Sequence, residues 1–203
     1  LIEAAEHTIV LAPVGDLPPA LLQRICREIT RIFGFQTRIE SVLADVSCAY
    51  DSNRDQYHST AILDKLAGRI PPRCLKILAV VEVDLFIPIL THVYGEAQLG
   101  GNASVISVFR LRQGIGGVGI DGTFEDRVAK EAIHELGHTF NLRHCRDQRC
   151  IMHYCRNEHD VDRKSDELCR YCRIMLADEV KRIGRVGKEE GDVRSQEAGD
   201  GRQ

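Results

Sequence analysis

Three histidines, a glutamate and a cysteine fall within the stretch AIHELGHTFNLRHC, Ala132 to Cys145. His134 and His138 are four residues apart. On an α-helix that spacing leaves them about 40° apart on one face, so both imidazoles can reach one ion. Glu135 follows the first histidine and is placed to act as a general base toward a water activated by the metal. His144 does not fit a continuing helix, on which it would point about 80° away. The helix must therefore end between 138 and 144, and the chain must fold back. Asn141 stands where that bend is needed, and asparagine is, after glycine, the residue most tolerant of the left-handed conformation that ends helices. Three histidines so gathered form a trigonal base for zinc with one position open, as catalysis requires.

A second group is Cys145, Cys150, Cys169 and Cys172, spaced C-x4-C-x18-C-x2-C. Four thiolates suit tetrahedral zinc in a closed, structural site. Two incidental pairs, or disulfides, are the alternative. Cys169 and Cys172 should open the last helix, where the dipole favours thiolate. Cys145 directly follows His144, so a zinc here would pin the loop that carries the third histidine. The expected complement is two zinc ions per chain. Cys155 reads as a small buried hydrophobe, and His153 and His159 as surface residues.

These groups need a scaffold. HTIVLAPVG (7–15) predicts a strand, and PPALLQRICREITRIFG (18–34) an amphipathic helix with proline at its start and glycine at its stop. A second strand is expected within 35–43. Residues 51–68 begin polar and become helical. KILAVVEVDLFIP (76–88) predicts the strongest strand. Residues 92–112 predict two strands about a Gly-Gly-Asn turn. A glycine-rich loop, 113–122, precedes the long helix 124–142 that carries the histidines. A last helix is expected over roughly 165–183, before a polar, glycine-rich tail at 187–203 that should not pack a core. This order implies an α/β (α+β) domain with a mixed sheet.

With 203 residues, 43% apolar and 28% charged, the chain can bury one full core. Its net charge of -3 gives no basic footprint for nucleic acid. No apolar run reaches the length of a membrane span. No secretory signal is visible, and five of the eight cysteines crowd into 145–172. That favours metal over disulfide and a cytoplasmic location. A monomer is the expectation, since no long heptad pattern is present. The glycine loop lacks the residues of a phosphate-binding loop.

The residues His134, Glu135, His138, His144, Cys145, Cys150, Met152, Cys169 and Cys172 together resemble the archaemetzincin family of the metzincin zinc metallopeptidases. The family's motif is HExxHxxGxxH, followed by a methionine turn set between zinc-binding cysteines. Here the turn would be Cys150-Ile151-Met152. The resemblance is closest over 130–175, and NRDQYHSTAIL and ASVISVFRL fit its layout upstream. It implies a five-stranded mixed sheet and an active-site helix in an N-terminal subdomain (1–143), and a small zinc-stapled subdomain (144–186). It also implies zinc-dependent hydrolysis of peptides by an endo- or aminopeptidase. Met152 would form an apolar floor beneath the metal. Tyr154, two residues on, would correspond to a tyrosine that assists the oxyanion in astacin-like relatives. The strand near Ser104–Leu111, or its neighbour, would pair with an extended peptide. The chain departs from the pattern at Asn141, where the family has glycine. The other readings are a zinc- and peptide-binding module without turnover, or a zinc hydrolase of a non-peptide amide. The intact Glu135 speaks against the first.

Overall fold

The computed structural model describes residues 7–112 and 123–199, the last fifteen (185–199) by backbone alone. In chain order its elements are β1 (Thr8–Pro13), α1 (Pro19–Phe33), β2 (Thr37–Ile39), β3 (Tyr50–Asp51), β4 (Gln56–His58), α2 (Ser59–Ala67), β5 (Cys74–Val81), β6 (Leu85–Phe86), β7 (Gly95–Ala97), β8 (Ala103–Ser107), α3 (Phe124–Thr139), α4 (Glu158–Arg163) and α5 (Arg170–Gly199).

Alternation along the strands makes two cores. Ile9, Leu11, Leu78 and Val80 point to one face of the main sheet and pack with α1 and α3. Val10, Ala12, Ile77, Ala79 and Val81 point to the other and pack with α2. Covered on both faces, β1 and β5 are apolar almost throughout, as parallel strands are. The sheet order is β2-β1-β5-β8-β7. All pairs are parallel except β7 with β8. The mixed five-stranded sheet is the one expected.

Several elements differ from the sequence reading. The run 76–88 is not one strand: β5 ends at Val81, and β6 belongs to a second sheet, β3-β4-β6. The cause is Asp84, which accepts hydrogen bonds from Arg110 Nε and Nη2 (2.6 Å each) and from Gln56 Nε2 (2.9 Å). Satisfying that carboxylate turns the chain out of the main sheet. Residues 51–68 do begin polar and become helical: a turn after Asp51 and the short β4 lead into α2 at Ser59. The strand within 35–43 is only Thr37–Ile39. The expected hairpin is present as β7 and β8, but the chain leaves strand after Ser107. The glycine-rich loop 113–122 lies outside the described residues.

The last helix starts at Arg170, because Ser165–Leu168 is held in a turn. Ser165 Oγ donates to the Arg149 carbonyl (2.7 Å), and the Ile151 N–H to the Glu167 carbonyl (2.9 Å). That helix runs to Gly199, through most of the segment read as a tail. Its Glu, Lys, Arg, Gln and Ala residues are good helix formers, so a polar composition does not prevent a helix. The short α4 had no signal in the hydrophobic pattern. Two buried ion pairs join it and the loop after it to α3: Arg127 with Asp162 (2.7 Å), and Lys164 with Glu131 (2.6 Å). No helix among the described residues is long and apolar enough to cross a membrane.

Candidate metal centre

Helix α3 is fixed at both ends. At its start Thr123 and Asp126 form a reciprocal capping box. At its end Asn141 adopts φ 61°. The Asn141 N–H donates to the His138 carbonyl (2.9 Å) and the Leu142 N–H to the Gly137 carbonyl (3.0 Å). These are the two bonds of a Schellman termination, with Asn141 at the left-handed position. The fold-back expected at Asn141 is therefore present. Lys76 of β5 reinforces it from below. Its ammonium donates to the Thr139 carbonyl (2.8 Å) and the Gly101 carbonyl (2.7 Å). Phe140 stacks on Phe33 of α1 with centroids 4.8 Å apart.

The bend brings the three histidines together: their ligating nitrogens lie within 4.8 Å of one another. His134 Nδ1 is 2.9 Å from the Ile151 carbonyl and His138 Nδ1 is 2.7 Å from the Leu142 carbonyl. A carbonyl can only accept, so each Nδ1 carries the proton and each Nε2 presents a lone pair. The two Nε2 atoms are 3.2 Å apart. Two acceptors so close need a cation between them, and two nitrogens on one tetrahedral zinc would be about 3.3 Å apart. Burial holds His134 well below the usual histidine range and lowers His138 and His144 as well. The direction favours the neutral imidazole, the form in which histidine can bind a metal. Burial, with the nearby Glu131 charge, holds the Glu135 carboxyl well above the usual carboxylate range.

The four cysteines also converge, with their sulfurs within 4.8 Å of one another. Cys145 Sγ and Cys169 Sγ are 3.7 Å apart. Tetrahedral zinc–thiolate bonds place sulfurs about 3.8 Å apart, whereas a disulfide needs about 2.05 Å. The Cys169 N–H donates to Cys150 Sγ (3.3 Å) and the Cys172 N–H to Cys169 Sγ (3.5 Å). Burial pushes the Cys150 thiol up to about 11, so a divalent cation is what would ionise it. Donor type, spacing and N–H···S bonding all fit zinc at this cluster.

The methionine turn ties the two groups together. The Ile151 carbonyl holds His134, the Met152 carbonyl accepts from the Cys145 N–H (2.8 Å), and Met152 is fully buried. His153 is not simply a surface residue: its Nδ1 donates to the Cys145 carbonyl (2.9 Å). The Tyr154 ring meets the His144 ring edge-on, with centroids 5.1 Å apart, and remains 44% exposed. Cys155 is half-buried, and His159 is exposed as expected.

The model of peptidase family M54 matches residues 4–178. The chain belongs to this family. Among its relatives, the archaemetzincin of Natronomonas pharaonis is 34% identical over 170 residues, 82% of this chain and 97% of that one. The archaemetzincin of Methanopyrus kandleri is 40% identical over 139 residues, 67% of this chain and 74% of that one. The crystal structure of the M. kandleri protein superposes with a TM-score of 0.73 at 30% identity, covering 89% of this chain and 99% of that one. The archaemetzincin of Archaeoglobus fulgidus, complexed with malonate, gives a TM-score of 0.69 at 32% identity, covering 83% and 99%. Membership of M54 makes the protein a zinc metallopeptidase, a hydrolase acting on peptides. It disfavours the readings as a silent binding module or a non-peptide amidase.

The M54 site contains residues the motif did not reveal. A Cβ on Gly95 would lie 2.6 Å from Glu135 Cγ, so this glycine lets edge strand β7 approach Glu135. A Cβ on Gly137 would overlap the Met152 sulfur. Glu96 anchors β7 by accepting from Ser59 Oγ (2.5 Å) and Thr60 Oγ1 (2.9 Å). Glu131 and Lys164 are buried, and Glu131 lines the same cleft as Glu135. Gly137, inside the HExxH motif, was the one with a signal: glycine in a helix interior usually has a packing reason.

Proposed function

We propose that His134, His138 and His144 hold the catalytic zinc of this peptidase, and that Glu135 is its general base. The observation that carries this reading is the 3.2 Å approach of two proton-free histidine nitrogens beside a buried carboxyl. Bound zinc supplies Lewis acidity, which acidifies a water and polarises a carbonyl. Glu135 would accept the proton of the attacking water and return it to the leaving amine. Its raised affinity for protons, caused first by burial, suits the second task. Tyr154, exposed at the rim beside His144, can donate to the oxyanion.

Cys145, Cys150, Cys169 and Cys172 hold a second, structural zinc, making two per chain. It divides the chain functionally into 1–143, which supplies helix and sheet, and 144–186, which supplies the third ligand and the floor. Residues 187–203 are the polar tail.

The substrate lies along β7. Hydrogen bonds at Tyr94 and Gln98 set the β7–β8 register. By alternation, the backbone groups of Gly95 and Ala97 point to the free edge. An extended peptide can pair there without a sequence requirement. The reading extends to a monomeric, cytoplasmic enzyme without nucleic-acid or membrane partners. The free cysteines and the net charge of -3 support it.

Digestion of a peptide library with mass-spectrometric readout, beside Glu135→Ala, tests the assignment. Cleavage should vanish in the variant while zinc content is unchanged. Retained cleavage would remove Glu135 from the mechanism.

A further inference from the structure

Glu131 is an unusual wall for a peptide cleft. Its side chain is 4% exposed, one turn before Glu135 on α3. Lys164 Nζ, fully buried, donates to its Oε1 at 2.6 Å. Oε2 accepts no hydrogen bond from any described residue. Yet Glu131 lines the cleft of about 340 Å³ that contains His134, Glu135 and His138. Oε2 is not among the side-chain oxygens sealed from water, so it opens to the cleft, where it is free to accept a hydrogen bond from a bound group. Tyr94 and Cys155 line the same recess and give it apolar walls.

The fold tells which part of a substrate reaches this oxygen. The Gly100 N–H, in the turn after β7, donates to the His138 carbonyl (2.9 Å). The Ala97 end of β7 therefore lies at the C-terminal end of α3. Glu131, earlier on α3, lies toward the Tyr94 end. A peptide paired antiparallel to β7, the more stable pairing, runs its C-terminal half past Tyr94 and Glu131.

We propose that Glu131 Oε2 forms the end of a specificity pocket for the residue following the scissile bond. It takes a side chain with an apolar stem and a terminal hydrogen-bond donor, of which lysine is the type case. This rests on the peptidase reading. Lys164 is a positioning residue that holds the carboxylate in place through Oε1. A neutral, donor-free aliphatic chain of equal length would leave Oε2 unpaired.

The test compares peptides that differ only in lysine or norleucine after the scissile bond. The unmodified protein should cleave the lysine peptide with kcat/KM higher by roughly tenfold or more. The Glu135→Ala protein should bind it more tightly in calorimetry. Equal or better use of norleucine would overturn the pocket while leaving the peptidase intact. Neither cleavage nor binding of any peptide would overturn both. Glu131→Gln should narrow the preference. If that variant does not fold, because Lys164 is left unpaired, the two-peptide comparison still decides.

Discussion

Gly137 and Met152 meet where no side chain could stand between them: a Cβ on Gly137 would overlap the Met152 sulfur and lie 2.9 Å from its methyl carbon. The helix that carries the histidines and the turn that floors them are therefore in direct contact. The neighbouring Ile151 carbonyl holds His134.

Gly137→Ala should disturb the site more than the fold. Alanine gains about 1 kcal/mol of helix propensity, and overpacking costs about 1–3 kcal/mol. Net stability should fall by no more than about 2 kcal/mol in denaturant titration, while zinc at the histidine site is lost more readily. Unchanged zinc retention would show that Met152 swings aside freely.

Metal analysis should find up to two zinc per chain after gentle purification. Dialysis against a chelator should strip one first, with activity lost and the fold retained by circular dichroism. The second, held by four thiolates, should leave only with unfolding. Finding no zinc at all would sink the four-cysteine assignment.

At Asn141, φ 61° favours glycine over every other residue. Asn141→Gly should keep or improve zinc retention. Asn141→Val should cost about 1–2 kcal/mol and loosen His144. If the glycine variant lost metal instead, the side chain of Asn141 would have a role beyond its backbone conformation.

Lys76 gives a pH signature. Burial lowers its affinity for protons to about 8, against an ordinary value of 10.5. Between these values the unfolded chain binds more protons than the folded one, so folding stability gains from this group as pH rises. The gain is complete above 10.5 and is lost as pH falls through 8. Compared with Lys76→Met, the native protein should gain up to about 3 kcal/mol across that window. Parallel stability profiles would contradict the burial of a charged Lys76.

The site was more legible than the frame. The His134–His138 spacing, the need for a bend, and Asn141 as its agent follow from helix geometry and backbone sterics, which are local. The same holds for α1, capped by proline and Gly34. The run 76–88 misled because its break is made by Arg110 and Gln56, residues distant in sequence. The helical path of 187–199 was missed because polarity reports on burial, not on backbone conformation.

The chain's own order of residues determined the types and spacing of the proposed ligands, the carboxylate proposed as base and the point where the helix must end. Each depends on side-chain chemistry or on a few adjacent dihedrals. Only the tertiary structure decided that Gly95 admits the edge strand to Glu135, that Gly137 admits Met152 beneath the helix, and that Lys164 pairs with Glu131 one turn before Glu135. These are contacts between segments far apart in sequence. Close packing sets them, and no local pattern encodes which atoms will meet.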